Sequence, residues 1–254
     1  MPTERAEFLG LRFNLLSLEQ VLERIDEPGP RPFAYVVTPN VDHLVRFHED
    51  AEDSSRIRAA YHGANLTLCD SRILRLLARS RGIKLPVVAG SDLTAHVFGE
   101  LIKPNDRIGI VGGNAELLGR LKSRFSGVQF VQYLPPMDLR RDAAARRNAA
   151  QFIAESRARF TFIAVGSPQQ ELIAAEAKAI PGAIGTGFCI GAGLEFLTGL
   201  NRRAPVAIQR LGLEWAHRLF SDPVRLWRRY LLEGPRVFAL TYRWASSLEQ
   251  RADK

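Results

Sequence analysis

The chain has 254 residues, 46% of them hydrophobic and 24% charged, enough to bury a core without disulfides and unlike a disordered, collagenous or cysteine-stapled chain. With 35 Lys+Arg against 27 Asp+Glu the formal net charge is +8. That charge favours anionic partners: nucleic acid, an anionic membrane or phosphorylated small molecules.

The opening residues, "MPTERAEFLGLRF", carry acids and no apolar core of signal-peptide length. No apolar run reaches the roughly 18 residues of a spanning helix, so a cytosolic protein is expected. Cys69 and Cys189 lie in apolar runs without zinc or redox-pair spacing, as reduced buried thiols do.

In chain order, "FAYVVT" (33–38) is a short β-branched and aromatic run, the mark of a buried strand. A helical stretch follows, broken near "EDSS" and ending at Gly63, with "EDAED" (49–53) as a solvated helix surface and His43 and His48 on a solvated face. "NLTLCD" (65–70) is the next strand, followed by helices over 71–82 and 90–103, the second with Ser91 as its expected cap. "RIGIVGG" (107–113) is a strand running into a glycine turn, followed by the helix "NAELLGRLKSRF". "VQFVQYL" is a strand and "DAAARRNAAQFIAESRA" a helix. "FTFIAVGSP" (160–168) is a strand before the helix "QQELIAAEAKAI", and "AIGTGFCIGAG" (183–193) is the last strand and turn. Strands alternating with helices of 10–15 residues predict an α/β fold, a Rossmann-like, mostly parallel sheet flanked by helices. From about residue 200 the strand signals stop. Residues 1–200 are therefore expected to form the catalytic α/β domain, and 201–254 a helical, arginine-rich C-terminal appendage with Pro223 and Pro235 at helix starts.

In open parallel sheets, ligands bind beyond the carboxyl ends of the strands. The predicted strands place there Thr38 and Asn40, then Asp70, then Gly112, Gly113 and Asn114, then Gly166, Ser167 and Gln170, and finally Gly191, Gly193 and Glu195. Each has a structural reading beside the functional one. Asp70, Thr38 and Asn40 are all residue types found at helix starts, although Ser71 can cap in place of Asp70. "VGGN" can hold phosphate or merely turn the chain. Glu171 reads as a first-turn acid favoured by the helix dipole. There is no G-x-G-x-x-G fingerprint, G-x-S-x-G elbow or P-loop, and the five histidines lack metal-ligand spacing.

The order of "TPNVDHL", "CDS", "GSDL" (90–93), "VGG", "VGSPQQE", "IGAGLEFLTG", "RRAP" and "GLEWAHRLFSDPVRLWRRY" resembles the WecG/TagA/CpsF glycosyltransferases, glycosyltransferase family 26, over roughly residues 33–232. The resemblance implies inverting, metal-independent transfer from a UDP-sugar to a sugar carried on a polyprenyl diphosphate. No cofactor is then expected, and the UDP-sugar is a substrate. By matching positions Asp70 is the expected general base, Thr38 and Asn40 stand beside it, and Gln170 shares the pocket. Glu195 occupies the place of the family's usual Asp in the nucleotide site, and Ser71 replaces its usual Gly. Arg218, Arg225 and Arg228 match arginines that serve the diphosphate of donor or lipid acceptor.

The chemistry is consistent with that pattern. One carboxylate can take the acceptor's proton, while helix amino ends and guanidinium groups meet the charge of the departing UDP. Arginines interleaved with Trp227, Tyr230, Leu231 and Leu232 also suit a membrane surface. The expected setting is the inner face of the cell membrane, in bacterial exopolysaccharide or envelope polysaccharide synthesis, and the apolar tail leaves room for an oligomer. The rival reading is a non-catalytic nucleic-acid binder using the basic tail. The tail has no recognition motif for that role, and such a binder leaves the strand-end cluster unexplained.

Overall fold

The computed structural model describes residues 4–27, 31–50, 52–137, 139–205, 208 and 213–252. It opens with a hairpin that the sequence reading did not anticipate, β1 (Arg5–Phe8) antiparallel to β2 (Leu11–Asn14). Leu9 and Gly10 make its turn, both at positive φ, and Phe8, Leu11 and Phe13 point into the core. Helix α1 (Leu18–Ile25) starts with a reciprocal capping box between Ser17 and Gln20.

The main sheet has six strands: β3 (Ala34–Val37), β4 (Leu66–Thr67), β5 (Arg107–Gly112), β6 (Gln129–Tyr133), β7 (Phe160–Ala164) and β8 (Thr186–Cys189). They lie in the order β4-β3-β8-β7-β5-β6, with every pairing parallel. Between β3 and β4 run α2 (Val41–Phe47) and α3 (Ser54–His62). Between β4 and β5 run α4 (Arg72–Arg79) and α5 (Gly90–His96), the latter continuing as a π-helical turn over Val97–Leu101. Then come α6 (Ala115–Arg124), α7 (Ala143–Ser156), α8 (Gln169–Lys178) and α9 (Gly193–Thr198). The doubly wound α/β class read from the sequence is the one observed.

The sheet separates two cores. Tyr35, Val37, Val111, Ile163 and Cys189 face one, with Leu44, Ile57, Tyr61, Ile153 and Ile173 from α2, α3, α7 and α8. Val36, Ile108, Ile110, Phe162 and Phe188 face the other, with Val21, Leu93, Leu121 and Leu194 from α1, α5, α6 and α9. Burial on both faces is why these strands read as continuous apolar runs rather than as alternating ones. Phe98 packs on Phe162 at 4.9 Å and Phe162 on Phe188 at 5.1 Å, an aromatic seam through the second core.

Beyond β8, the described part of the tail is α10 (Glu214–Ser221), α11 (Pro223–Trp227) with a π-helical turn over Arg228–Glu233, and α12 (Arg236–Ala252). The tail packs on the α/β part: Val237 is buried in the first core, and Trp244 meets Phe8 edge-on at 5.4 Å. Its outer side carries Phe220 and Val224, 85% and 88% exposed, along with Phe238 and Tyr242. Part of the helical appendage expected from residue 201 lies outside the described residues.

Three local expectations are corrected. "EDAED" is not a helix surface: Glu49 and Asp50 follow α2, and Asp53 precedes α3 and pairs with Arg140 at 3.0 Å. Ser91 does not cap α5, which begins one residue earlier behind Ala89 without a side-chain cap. His43 is not solvated. It is enclosed against Tyr61, while His48 is exposed as expected.

Candidate active site

Because every strand of the sheet points the same way, the helices that directly follow β3, β4, β5, β7 and β8 all begin at one rim. Several starts are fixed by side-chain caps. Asn40 Oδ1 accepts from the Asp42 and His43 amides, Ser71 Oγ from the Leu74 amide at 3.2 Å, and Asn114 Oδ1 from the Leu117 amide at 2.8 Å. Gly112, Gly113, Gly166 and Gly191 hold the rim turns at positive φ. At Gly112 a side chain is barred twice over, since a Cβ would stand 2.8 Å from the Ala164 carbonyl oxygen. Gln132 ties this turn down by donating to the Gly112 and Asn114 carbonyls.

The cap of α4 is Ser71, so Asp70 sits just before the helix rather than serving as its cap. Its backbone N–H donates to the Pro39 carbonyl at 3.0 Å, which fastens Asp70 beside the Thr38–Asn40 turn. The sequence separates these two segments by 30 residues; the β3–β4 pairing brings them together. Asp70 also stands within electrostatic range of Arg203. Burial disfavours the charge of that guanidinium, but its bond to Asp92 and the nearby Asp92, Glu214 and Asp70 carboxylates more than offset this and raise its pKa. The Arg203–Asp92 pair joins "RRAP" to "GSDL", two segments whose proximity the sequence does not reveal.

Thr38 is 4% exposed, and its hydroxyl donates to the Cys189 carbonyl at 3.2 Å, linking the ends of β3 and β8. Its Oγ1 faces the start of α5, where a Cβ on Gly90 would come within 2.9 Å. Glu195 is half-buried on α9, where its carboxylate accepts from the Asn201 side-chain amide. Gln170 lies deeper than its neighbours. It is 1% exposed, with Oε1 accepting from the Gly191 N–H at 3.0 Å and Nε2 donating to Glu171 Oε1 at 2.8 Å. Gln170 therefore pins the turn after β8 to the start of α8.

Glu171 lies in the first turn of α8 as read, and it is fully buried there, with the hydroxyls of Tyr61 and Ser167 beside it. Burial pushes its pKa up, against the bond from Gln170 and the nearby hydroxyls. Burial also pushes the Cys69 thiol up to about 12 and raises the Cys189 thiol well above its ordinary value. Neither is a poised nucleophile. Among the described residues, no three His, Cys, Asp or Glu side chains converge as metal ligands would.

A second charged group borders the rim. Asp42, 6% exposed, pairs through Oδ2 with Arg46 at 3.2 Å and with Arg229 of the tail at 3.1 Å. Arg46 in turn donates to the Ser167 carbonyl at 2.7 Å. Beside them burial, reinforced by Arg229 and Arg46, pushes the His43 pKa down to about 3, so the ring is neutral. Sequence reading passed over Asp42, Arg46 and Tyr61. Asp42 had position as its one signal, in the first turn of a helix that begins at the rim, whereas Arg46 lies in the last turn of α2 and Tyr61 at the end of α3.

Of the tail arginines expected at the diphosphate, Arg228 is exposed and stacks over Trp227 at 5.4 Å. The side chains of Arg218 and Arg225 lie outside the described residues. No helix among the described residues is long and apolar enough to cross a membrane.

The model of the glycosyl transferase WecG/TagA/CpsF family matches residues 6–251, nearly the whole chain including the hairpin and the tail. Its extent takes in all five strand-to-helix turns that form the rim and the C-terminal helices that border it. The chain belongs to this family and is a glycosyltransferase.

Proposed function

We infer that the enzyme transfers a sugar from a UDP-sugar to a sugar on a polyprenyl diphosphate, with inversion and without a metal ion. Asp70 serves as the general base. The observation that carries this reading is the position of Asp70, beside the Thr38–Asn40 turn while Ser71 takes over the cap of α4. The acceptor hydroxyl oxygen attacks the anomeric carbon as that carbon's bond to the β-phosphate oxygen breaks. The hydroxyl proton passes to the Asp70 carboxylate and the electron pair leaves with UDP.

Charge on the departing diphosphate is met by backbone N–H groups at the starts of α6 and α8, where Gly112, Gly113, Asn114, Gly166 and Ser167 let a phosphate approach closely. Gln170 acts by holding the Gly191 turn, and Glu195 lies on the β8 side of the same rim as a ribose or base contact. Arg218, Arg225 and Arg228 complete the diphosphate site from the tail. Phe220, Val224, Phe238 and Tyr242, exposed on the tail helices, support docking on the anionic inner face of the cell membrane, where a polyprenyl acceptor resides. The product belongs to bacterial exopolysaccharide or envelope polysaccharide synthesis.

The test is a panel of UDP-sugars with a short-chain polyprenyl-diphosphate sugar acceptor and EDTA. One donor should release UDP only when acceptor is present, and Asp70→Asn should abolish that release while retaining UDP binding. Release that survives Asp70→Asn would remove Asp70 from the base role, and a requirement for a divalent cation would overturn the metal-independent mechanism.

A further inference from the structure

Arg229 and Arg228 are adjacent in sequence and differ in setting. Arg228 faces outward over Trp227, whereas Arg229 turns inward to Asp42 in the first turn of α2. Asp42 holds two guanidinium groups on one oxygen, Arg229 at 3.1 Å and Arg46 at 3.2 Å. Arg46 continues the chain to the Ser167 carbonyl, and Ser167 Oγ lies 3.2 Å from the Tyr61 hydroxyl, next to buried Glu171. The result is a continuous polar path from the C-terminal helices to the turn between β7 and α8.

Asp42 is almost wholly buried, so a guanidinium lost from it leaves a carboxylate short of compensation in a low-dielectric setting. His43 is neutral and supplies no replacement charge. Without Arg229, Arg46 is, among the described residues, the one cation left on Asp42, and it is also the group that holds the Ser167 carbonyl. On this path the tail reaches α2 through the Arg229–Asp42 pair; α12 also packs against α2, with Val237 in the core that holds Leu44 and Val45 and with Arg236 3.8 Å from Glu49 just after α2.

We propose that Asp42, Arg46 and Arg229 form a latch through which docking of the C-terminal helices orders the Gly166–Gln170 turn, making Arg229 a positioning residue for the donor pocket. The proposal rests on the donor-site reading above for its effect on UDP, while the structural coupling stands without it. It also separates two kinds of tail arginine: those held for phosphate, and one that reports to the pocket that the tail is seated.

The test uses the full chain as wild type, Arg229→Gln and Arg229→Lys, followed by amide hydrogen exchange. In Arg229→Gln, exchange should rise in residues 228–234 and also in residues 166–171. UDP binding, measured on the same samples, should weaken about fivefold or more, the lower end of ordinary coupling between sites. Arg229→Lys, which keeps the charge, should restore most of the protection. Faster exchange confined to the tail would overturn the latch and leave Arg229 a local anchor. Unchanged exchange in both segments would overturn it as well. Failure of the wild-type chain to bind UDP would instead strike the donor reading, and the exchange pattern would still decide the latch.

Discussion

Replacing Glu171 separates its neutral and charged roles. Its Oε1 accepts from Gln170 Nε2 at 2.8 Å, and both side chains are essentially sealed from water. Glu171→Ala leaves that amide donor unpaired, at about 1–3 kcal/mol. It also forfeits burial of one methylene group, Cγ, at about 0.8 kcal/mol. The expected loss is therefore about 2–4 kcal/mol, or roughly 4–16 °C in Tm at 2–4 °C per kcal/mol for a domain of this size. Glu171→Gln keeps the acceptor and the volume and should stay within about 1 kcal/mol of wild type at pH 4.5, since an isosteric swap preserves the bond.

The pH dependence has a definite sign. The folded pKa of Glu171 is raised above its ordinary value of 4.5 by burial, so its stabilising contribution is full below that value and declines as pH rises toward the folded pKa. Glu171→Gln lacks this decline, and its stability relative to wild type should climb from pH 4.5 upward. Urea unfolding of both variants at several pH values measures this. A Glu171→Gln variant as unstable as Glu171→Ala would refute the argument, because it would mean that an ionised carboxylate holds the site together.

Two further substitutions probe the rim and its border. Gly112→Ala forces a side chain into the left-handed region at about 1–2 kcal/mol and drives its Cβ against the Ala164 carbonyl, so the urea midpoint should fall. Gly119→Ala, inside α6 with open space at its Cβ, should instead stabilise by about 1 kcal/mol; equal effects at the two glycines would contradict the geometry. His43, with its folded pKa near 3, binds a proton less readily than in the unfolded chain, so stability should fall as pH drops below its ordinary 6.5, by at most about 1.4 kcal/mol per unit. Urea midpoints at pH 7 and pH 5 should show a shallower drop in His43→Gln than in wild type, and parallel drops would return His43 to the solvent.

The sheet was legible because its strands are buried on both faces. "FAYVVT", "RIGIVGG" and "FTFIAVGSP" have little choice but to be central strands, and β3, β5 and β7 lie within them. The rim was legible for a related reason: in a parallel sheet the residue after each strand is the residue at the site. Asp70 could be located by counting, and Ser71 as the alternative cap could be read from side-chain chemistry.

What sequence could not supply was pairing across distance. Nothing in "VDHLVRF" says that Asp42 will meet an arginine 187 positions later, nor in "GSDL" that Asp92 will meet Arg203. The hairpin was missed because β1 and β2 have four residues each, too short for periodicity to register, and half of β1 is exposed. Glu171 was read correctly as a first-turn acid but its burial was missed, and His43 was misjudged, because polar residues near helix starts usually face water. Here the first two turns of α8 are buried, Gln170 and Glu171 along with Leu172, Ile173 and Ala174, and α2 lies beneath the tail.

The short strand β4 has a consequence for how the sheet's border meets other chains. Its Thr67 N–H is taken by the side chain of Asn14, at 2.9 Å, before any neighbouring strand could use it. An amide side chain thus finishes that border of the sheet, and a second chain finds no ladder there to extend. The opposite border, β6, has no such cover from the hairpin. It is the seam at which strand addition would begin, and Pro135 and Pro136 beyond Leu134 limit it to the five residues Gln129–Tyr133.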